Sequence, residues 1–250
     1  MDGKHNKVVG IIPARYASTR LPGKPLVEIA GKTMLQRTYE QAVKSHLLDE
    51  VVVATDDERI LNHVVSFGGK ALMTSREHQT GTDRVAETAR HFSKAEIIVD
   101  VQGDEPLVHP SAIDAVVEAM LENPDILITN LIAQASEEDA DDVSIVKAVY
   151  DKDGFALYFS RSRIPFPRQD PCSYYKVKDV YGFRPAFLKL LASLPQTTLE
   201  KAESVEQNRV LEHGYKLKLV LTPYDFQGVN TPEDLEKVRR IFTNASNGRS

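Results

Sequence analysis

The sequence predicts an α/β fold with a mostly parallel sheet and helices on both of its faces. Short apolar runs, such as residues 8–12 and 51–55, are typical of buried strands. Segments with helical periodicity separate these runs, and residues 113–121 place apolar side chains at i, i+3, i+4, i+7 and i+8. Strands that alternate with helices favour parallel pairing, because a parallel connection needs a long crossover.

The first half of the chain repeats this rhythm. After the first strand, Thr33 and Gln36 predict a capping box at the start of a helix. The strand at 51–55 precedes a helix that runs through Phe67 and ends at Gly68-Gly69. The order then continues with a strand at 70–73, a helix at 83–92, a strand at 96–101 and a helix that ends before Pro124.

The second half is less regular and predicts a lobe inserted into the main domain. Strand-like runs lie at 125–134, 144–150, 176–183 and 215–221, with a helix that has Gly214 at its C-cap before the last of them. The acidic segment 136–142 predicts a solvated loop, and a final helix runs from Pro232 to about Phe242. We predict one domain over residues 1–245, with 136–185 as the inserted lobe and 246–250 as a flexible tail.

Composition and charge exclude several classes of protein. The 250 residues include 42% hydrophobic and 27% charged residues, as expected of a globular protein. A net charge of −5 argues against bulk nucleic-acid binding. Cys172 is the one cysteine, so no internal disulfide can form. No signal peptide and no membrane-spanning run is apparent, and we expect a cytoplasmic protein.

A basic loop follows the first strand. It carries Arg15, Arg20 and Lys24, together with Gly23 between two prolines. Open α/β sheets bind their ligands at the carboxyl ends of strands, so these cations predict a polyphosphate site. The loop is not a Walker A motif, since Ser18 occupies the first glycine position and Pro25 follows Lys24. Solvated surface charge is the alternative.

A second chemical group follows the strand at 96–101. Asp104 and Glu105 lie at its carboxyl end, in the turn "VQGDEP". A carboxylate near a triphosphate is favourable when it holds Mg²⁺. The pairing of this turn with the basic loop therefore predicts a nucleoside triphosphate site, although such a turn alone is usually only a turn.

Three other polar segments leave alternatives open. Asp56 or Thr55 is expected to cap the next helix, a ribose contact being the alternative. The segment "HQTGTDR" (78–84) either contacts a base or phosphate or caps a helix with Thr82 and Asp83. Glu203, Glu206 and Gln207 have i, i+3, i+4 spacing, which predicts one helical face that is either solvated or bound to a polyol. The seven histidines form no ligand pattern.

The motifs together resemble a known family. The segments "IIPARYASTRLPGKPL", "VATDD", "HQTGTDR", "VQGDEP", "ALYFSR", "VEQNRVLEHG" and "GVNTPEDLEKV" occur in the order found in 3-deoxy-manno-octulosonate cytidylyltransferases, the CMP-Kdo synthetases. The resemblance covers nearly the whole chain. It implies transfer of CMP from CTP to Kdo with release of pyrophosphate, for lipopolysaccharide biosynthesis. It also implies Mg²⁺ as cofactor, a homodimer, and a Rossmann-like sheet of the nucleotide-diphospho-sugar transferase type with a smaller sugar-facing lobe.

The resemblance also implies roles for individual residues. Arg15 and Lys24 would hold the triphosphate, and Asp104 would bind Mg²⁺; these three are the expected catalytic residues. The expected CTP contacts are Ala14, Arg15, Lys24, Gln79, Gly81 and Gln102. Arg161 would bind the Kdo carboxylate through its guanidinium fork. The other expected Kdo contacts are Gln102, Tyr181, Glu206 and Gln207.

Two positions depart from the family pattern. Asn230 stands where the family's "GVDTPEDL" has a second metal-binding aspartate, so we expect Asn230 to coordinate Mg²⁺ more weakly. The family's "HIGIYGY" reads "VKDVYGF" here, with Val177 in place of the histidine and Asp179 in place of a glycine. No sugar contact can be carried over for that histidine.

Three other functions remain open from the residues alone. One is a related nucleotidyltransferase that acts on sialic acid or a sugar phosphate. Another is a non-catalytic nucleotide-binding module whose metal site has decayed, which Asn230 makes conceivable. The third is a dehydrogenase, although no Gly-x-Gly-x-x-Gly follows the first strand.

Overall fold

The structure is a computed structural model that describes residues 7–17, 21–169 and 171–247. The chain divides into two compact units, one of Met1–Asp114 with Phe226–Ser250 and the other of Ala115–Asp225. Residues 136–185, the predicted lobe, fall within the second unit. The boundaries of that lobe stay a prediction.

The strands of the first unit form a parallel sheet and a small hairpin. They are β1 (Lys7–Ala14), β2 (Glu28–Ile29), β3 (Lys32–Thr33), β4 (Glu50–Thr55), β5 (Ala71–Met73) and β6 (Ala95–Val101). The sheet has the order β6-β1-β4-β5 and each of its pairs is parallel, while β2 and β3 pair as the hairpin. Residues 8–14 of β1 are all buried, as expected of a strand covered on both faces. The predicted α/β class with a mostly parallel sheet is confirmed.

The first helices begin at polar caps. They are α1 (Met34–Ala42), α2 (Glu58–Ser66), α3 (Gly81–Ala89) and α4 (Pro110–Glu122). Thr33 caps α1 as predicted, its hydroxyl accepting from the Gln36 N–H at 3.2 Å. The Gln36 side chain donates to Glu40 and does not return to the cap. The predicted cap of α2 was wrong: Asp57 caps this helix, not Thr55 or Asp56.

The second unit contains a mixed set of strands and short helices. In chain order these are β7 (Ile128–Ala135), α5 (Glu137–Asp141), β8 (Lys147–Tyr150), β9 (Ala156–Ser160), β10 (Tyr174–Phe183), α6 (Pro185–Leu191), α7 (Thr198–Glu203), α8 (Gln207–Glu212) and β11 (Lys218–Thr222). β7 pairs with β11 in parallel and with β10 antiparallel, and β8 pairs with β9 antiparallel.

Two predictions for this unit were wrong. The acidic segment 136–142 is not a loop: α5 lies within it, capped by a box between Ser136 and Asp139. Carboxylates in the first turn of a helix are stabilised by its dipole, which explains how so acidic a segment can be helical. The single helix predicted before Gly214 is three short helices, and Gly214 follows the last of them with a φ of 79°.

The chain returns to the first unit through α9 (Pro232–Asn247), which extends beyond its predicted end near Phe242. Val229, Leu235 and Val238 pack with Ile29 and Met34 in one apolar cluster. This packing fixes the segment just before α9, which carries Asn230. Residues 248–250 of the predicted tail lie outside the described residues. Across the described part of the chain, no helix combines the length and the apolar character that crossing a membrane requires.

Candidate active site

A cavity of about 290 Å³ opens in the first unit where β1 and β6 end and α3 begins. The structure brings the predicted nucleotide and metal residues together around it: Ala14, Arg15, Lys24, Gln79, Gly81, Gln102, Asp104 and Asn230. These residues come from five separate segments of the chain. Their roles toward CTP stay predictions, but their common location follows from the parallel sheet, whose strands end at the same edge.

The basic loop reaches the cavity through a tight turn. Gly23 has a φ of 67°, a conformation that glycine adopts without strain, and the turn Lys24–Leu26 follows it. A Cβ at this position would also lie 3.2 Å from the Tyr16 hydroxyl. Pro25 is buried directly after Lys24, so the base of the lysine side chain is fixed. Arg20, the third predicted cation, lies outside the described residues.

Lys24 contacts both predicted metal ligands. Its ammonium group forms an ion pair with Asp104 and donates to Asn230 Oδ1 at 3.3 Å. The ligands are held together by the backbone, since the Val229 N–H donates to the Asp104 carbonyl at 2.9 Å. The side chains of Lys24 and Asp104 are only 15% and 26% exposed. The sequence prediction that positions 24 and 104 share one cavity agrees with this geometry.

These oxygens fit a magnesium ion that also binds phosphate. A carboxylate oxygen and an amide oxygen already converge on one positive charge, the Lys24 ammonium. Among the described residues, no group of three or more His, Cys, Asp or Glu side chains is arranged to hold a metal. Mg²⁺ is commonly bound by one or two carboxylates together with substrate phosphates and water, and this donor set suits such a site.

The amino end of α3 forms another wall of the cavity. Thr80 and Asp83 form the capping box, which corrects the predicted cap of Thr82 with Asp83. Gly81, the first helical residue, has no side chain, and a Cβ there would lie 3.2 Å from Gln102 Nε2. Gln102 is itself held by a 2.8 Å hydrogen bond to Asp100. The helix therefore presents its amino end beside an oriented amide, a suitable environment for an anion or a base.

Sequence reasoning missed a buried cation in this cavity. Arg84 is 3% exposed, donates to Thr74 and Ser75, and pairs with Asp56 at 2.8 Å. Asp56 thus holds Arg84 and does not cap α2, while its alternative contact with a ribose stays a prediction. The residue lay inside the motif "HQTGTDR", but only the folded chain shows that an arginine on the α3 face is buried.

His78 is a further residue of this cavity to which the sequence assigned no chemistry. It pairs with Glu87 on α3. The Ser75 N–H donates to Glu87 at 3.0 Å and is the main cause of the lowered pKa of that carboxyl, with His78 adding to the effect. Glu87 therefore stays ionised and fixes the imidazole at the cavity wall.

The second unit brings together two of the predicted sugar contacts. Gln207 Nε2 donates to the Tyr181 hydroxyl at 2.7 Å, and that hydroxyl donates to Asp179 at 3.1 Å. Gln207 also contacts Asn130 Oδ1 at 3.4 Å. Asp179, one of the two departures from the family pattern, is thus part of the same hydrogen-bonded group.

The predicted stripe of Glu203, Glu206 and Gln207 was wrong. Ser204 has a φ of 52° and ends α7 after Glu203, while Glu206 caps the next helix, so the three do not share one helical face. Glu206 lies near Arg209, at 3.4 Å. The spacing of polar residues could not predict this break, because it carries no information on the left-handed conformation of Ser204.

Arg161 lies in a separate hydrogen-bonded cluster of the second unit. Its guanidinium donates to backbone carbonyls of Val143, Ser144, Glu203 and Ser204. Burial alone would raise the pKa of Glu203, but hydrogen bonds from the Arg161 N–H, the Ser160 hydroxyl and Tyr158 outweigh it, and the pKa is lowered. Arg161 thus joins the segment at 143–144 to the end of α7. Its contact with a substrate carboxylate stays a prediction.

Fold and site together fit an α/β nucleotide-binding protein, in which a basic loop contacts a carboxylate at the end of β6. Comparison with known proteins narrows this class. Residues 9–219 match the family model described as cytidylyltransferase. A protein from Solibacter usitatus named 3-deoxy-manno-octulosonate cytidylyltransferase is 46% identical over 94% of both chains. Another of the same name from Geobacter sulfurreducens is 47% identical, over 92% of this chain and 97% of the relative.

A solved structure agrees with these relatives. CMP:2-keto-3-deoxy-manno-octonic acid synthetase complexed with CTP is 40% identical, with a TM-score of 0.92 over 96% of this chain and 100% of that one. The chain belongs to the cytidylyltransferase family, among the 3-deoxy-manno-octulosonate cytidylyltransferases.

Proposed function

We propose that the chain transfers CMP from CTP to the anomeric hydroxyl of 3-deoxy-manno-octulosonate (Kdo) and releases pyrophosphate, with Mg²⁺ as cofactor. The observation that carries the proposal is the cavity at which Lys24, Asp104 and Asn230 meet, in a chain 46% identical to a relative named for this activity. The similar structure complexed with CTP supports the nucleotide.

Lys24 and Arg15 supply the positive charge that the reaction needs. As the anomeric oxygen bonds to the α-phosphorus, its proton passes to solvent water, and the bond between the α-phosphorus and the oxygen that bridges to the β-phosphate breaks. Pyrophosphate then leaves with that electron pair. Its negative charge grows in the transition state, so cations fixed beside it lower the barrier. Arg15 and Lys24 both line the cavity, which supports this role toward a triphosphate.

Asp104 and Asn230 would hold the metal. Mg²⁺, when bound, neutralises charge on the triphosphate. The amide at 230 contributes an oxygen but no formal charge, so this pair attracts a divalent cation less strongly than two carboxylates would. The Asp104 backbone is tied to Val229, which keeps the two ligand side chains within reach of one ion.

Most of the expected sugar-binding residues lie in the second unit. Tyr181 and Gln207 present a hydroxyl and an amide that are already hydrogen-bonded to each other. Such groups suit the hydroxyls of a sugar acid. Gln102, Arg161 and Glu206 remain further candidates for this substrate. The homodimer and the cytoplasmic location also remain predictions.

The decisive experiment measures pyrophosphate release by the purified full chain. We expect release that requires Mg²⁺, CTP and Kdo together, and little release when UTP replaces CTP. Faster pyrophosphate release with sialic acid or a hexose phosphate than with Kdo would indicate a related nucleotidyltransferase instead. Binding of CTP without release under any of these conditions would show a non-catalytic nucleotide-binding module.

A further inference from the structure

A local irregularity in β10 lies beside the candidate sugar contacts. In the pairing of β10 with β7, Lys178 is opposite Leu131, and the next aligned pair is Tyr181 with Asn130. Two residues of β10, Asp179 and Val180, are therefore inserted at this point. Bulges of this kind redirect side chains and are frequent next to active sites.

A buried side chain on β7 holds this bulge. Asn130 is 0% exposed, and its Nδ2 donates to the Lys178 carbonyl at 2.9 Å and the Val180 carbonyl at 3.2 Å. These two carbonyls lie on either side of Asp179. A longer contact of 3.4 Å reaches the Leu131 carbonyl.

The same amide also contacts the side chains that the proposed function assigns to the sugar. Asn130 Oδ1 accepts from Gln207 at 3.4 Å, Gln207 donates to the Tyr181 hydroxyl at 2.7 Å, and Tyr181 donates to Asp179 at 3.1 Å. Because an Asn side chain has a donor end and an acceptor end, it can bind the backbone bulge and Gln207 at once. The chain of contacts thus begins and ends at the bulge.

Asparagine is an unusual choice at this place in a strand. Asn is depleted in strands, and a buried amide is tolerated only where its hydrogen bonds are made. Its buried neighbours along β7 include Ile128, Leu131 and Ile132. A further apolar residue at 130 would fill this strand equally well but would leave two carbonyls of the bulge without this donor.

We infer that Asn130 is a positioning residue for the sugar acid: it fixes the β10 bulge and orients Gln207 and Tyr181. It acts through these side chains and has no contact with the nucleotide cavity of the first unit among the contacts described above. The inference rests on the proposed function, since it assigns the Tyr181–Gln207 pair to the sugar.

Asn130→Leu and Asn130→Asp test the inference. Leucine is close in size and removes every hydrogen bond, while aspartate keeps the shape and loses the two donors. We expect either variant to raise the KM for Kdo at least tenfold and to change the KM for CTP less than threefold. Asn130→Ser adds neither charge nor bulk and keeps one donor, so we expect it to raise the KM for Kdo by only three- to tenfold.

Thr129→Val is the matched control on the same strand. Thr129 is also 0% exposed and hydrogen-bonds the Gly182 N–H at 3.1 Å, but it has no contact with the bulge carbonyls or Gln207 among the described hydrogen bonds. We expect a lower Tm with an unchanged KM for Kdo. Thermal unfolding and the KM for CTP show in each variant that the fold is intact.

The outcomes separate this inference from the proposed function. A folded Asn130 variant with an unchanged KM for Kdo would overturn the inference, as would equal rises in the two KM values or an equal rise for Thr129→Val. In each of these cases the unaltered chain still makes CMP-Kdo. Absence of pyrophosphate release by the unaltered chain with CTP and Kdo would instead refute the proposed function.

Discussion

Lys24 holds the place that a metal ion would need, and we expect Lys24→Met to strengthen metal binding to the nucleotide-free protein. The lysine ammonium already contacts Asp104 and Asn230. A divalent cation that takes both oxygens must displace it. The turn that carries Lys24 is fixed by Gly23 and buried Pro25, so the displacement has to occur by rotation of the side chain.

The structure sets limits on the size of this effect. Exposed ion pairs contribute about 0–1 kcal/mol. A full Coulomb contact at ~4 Å reaches ~4 kcal/mol at an effective dielectric constant near 20. The Lys24–Asp104 pair is mostly shielded, with side chains 15% and 26% exposed, and it belongs between these limits. A difference of about 1.4–2.8 kcal/mol corresponds to metal binding that is roughly ten- to a hundredfold tighter.

Electron paramagnetic resonance of Mn²⁺ titrated into the nucleotide-free protein measures this binding directly. Lys32→Met is the matched control, because Lys32 carries the same charge but pairs with Glu40 and is 42% exposed. We expect tighter Mn²⁺ binding in Lys24→Met, no change in Lys32→Met, and loss of the gain when Asp104→Asn is added to Lys24→Met.

The same variant should lose turnover, because the leaving pyrophosphate loses a cation. By analogy with loss of one oxyanion donor, we expect kcat to fall by about 10²–10³. Tighter Mn²⁺ binding together with a lower kcat would separate the two roles of Lys24, its competition with the metal and its stabilisation of the leaving pyrophosphate. Equal Mn²⁺ affinity in Lys24→Met and the unaltered chain would refute the reasoning, as would a change in KM for CTP without a change in kcat.

Three further predictions concern single side chains. Asn230→Asp adds a carboxylate beside Asp104 and should lower the Mg²⁺ concentration that gives half-maximal rate; an unchanged requirement would contradict a metal role for position 230. Arg209→Met should lower the free energy of unfolding by about 3–5 kcal/mol in urea titrations, since it leaves the Glu200 carboxylate buried without its partner, the two side chains being 5% and 6% exposed. Burial lowers the pKa of His63, so the unfolded chain takes up this proton first and stability falls as the pH drops below about 6.5. His63→Gln should therefore show a smaller fall in Tm between pH 7 and pH 5 than the unaltered chain. An equal fall in both proteins would contradict this role of His63.

The first unit could be predicted well because its signals are local. The run at 8–12 needs burial on both faces, and the loop after it contains its own glycine, prolines and cations. Strand and loop are consecutive, so their placement follows once the sheet is parallel. The same reasoning located Asp104 at the end of β6. It could not find Arg84, whose burial depends on Asp56, 28 residues away.

The second unit was harder to predict because its backbone conformations and long-range contacts differ from what the spacing and charge of neighbouring residues indicate. The spacing of Glu203, Glu206 and Gln207 alone predicted that they lie on one helix. Ser204 adopts a left-handed conformation and ends that helix after Glu203. The acidic segment 136–142 was expected to be a loop because of its charge. Its capping box and a partly buried pair between Asp139 and Lys176 make it helical instead.

The two departures from the family pattern carry different information. Asn230 lies beside Asp104 in a segment fixed by backbone contacts, so its predicted effect is on the strength of metal binding and not on the position of the site. Asp179 lies in a bulge held by Asn130, and its carboxylate accepts from the Tyr181 hydroxyl. The Tyr181 hydroxyl therefore accepts from Gln207, because its own proton is engaged by Asp179. If Tyr181 contacts the sugar as proposed, it would act as an acceptor there, and the sugar hydroxyl at that position would be the donor.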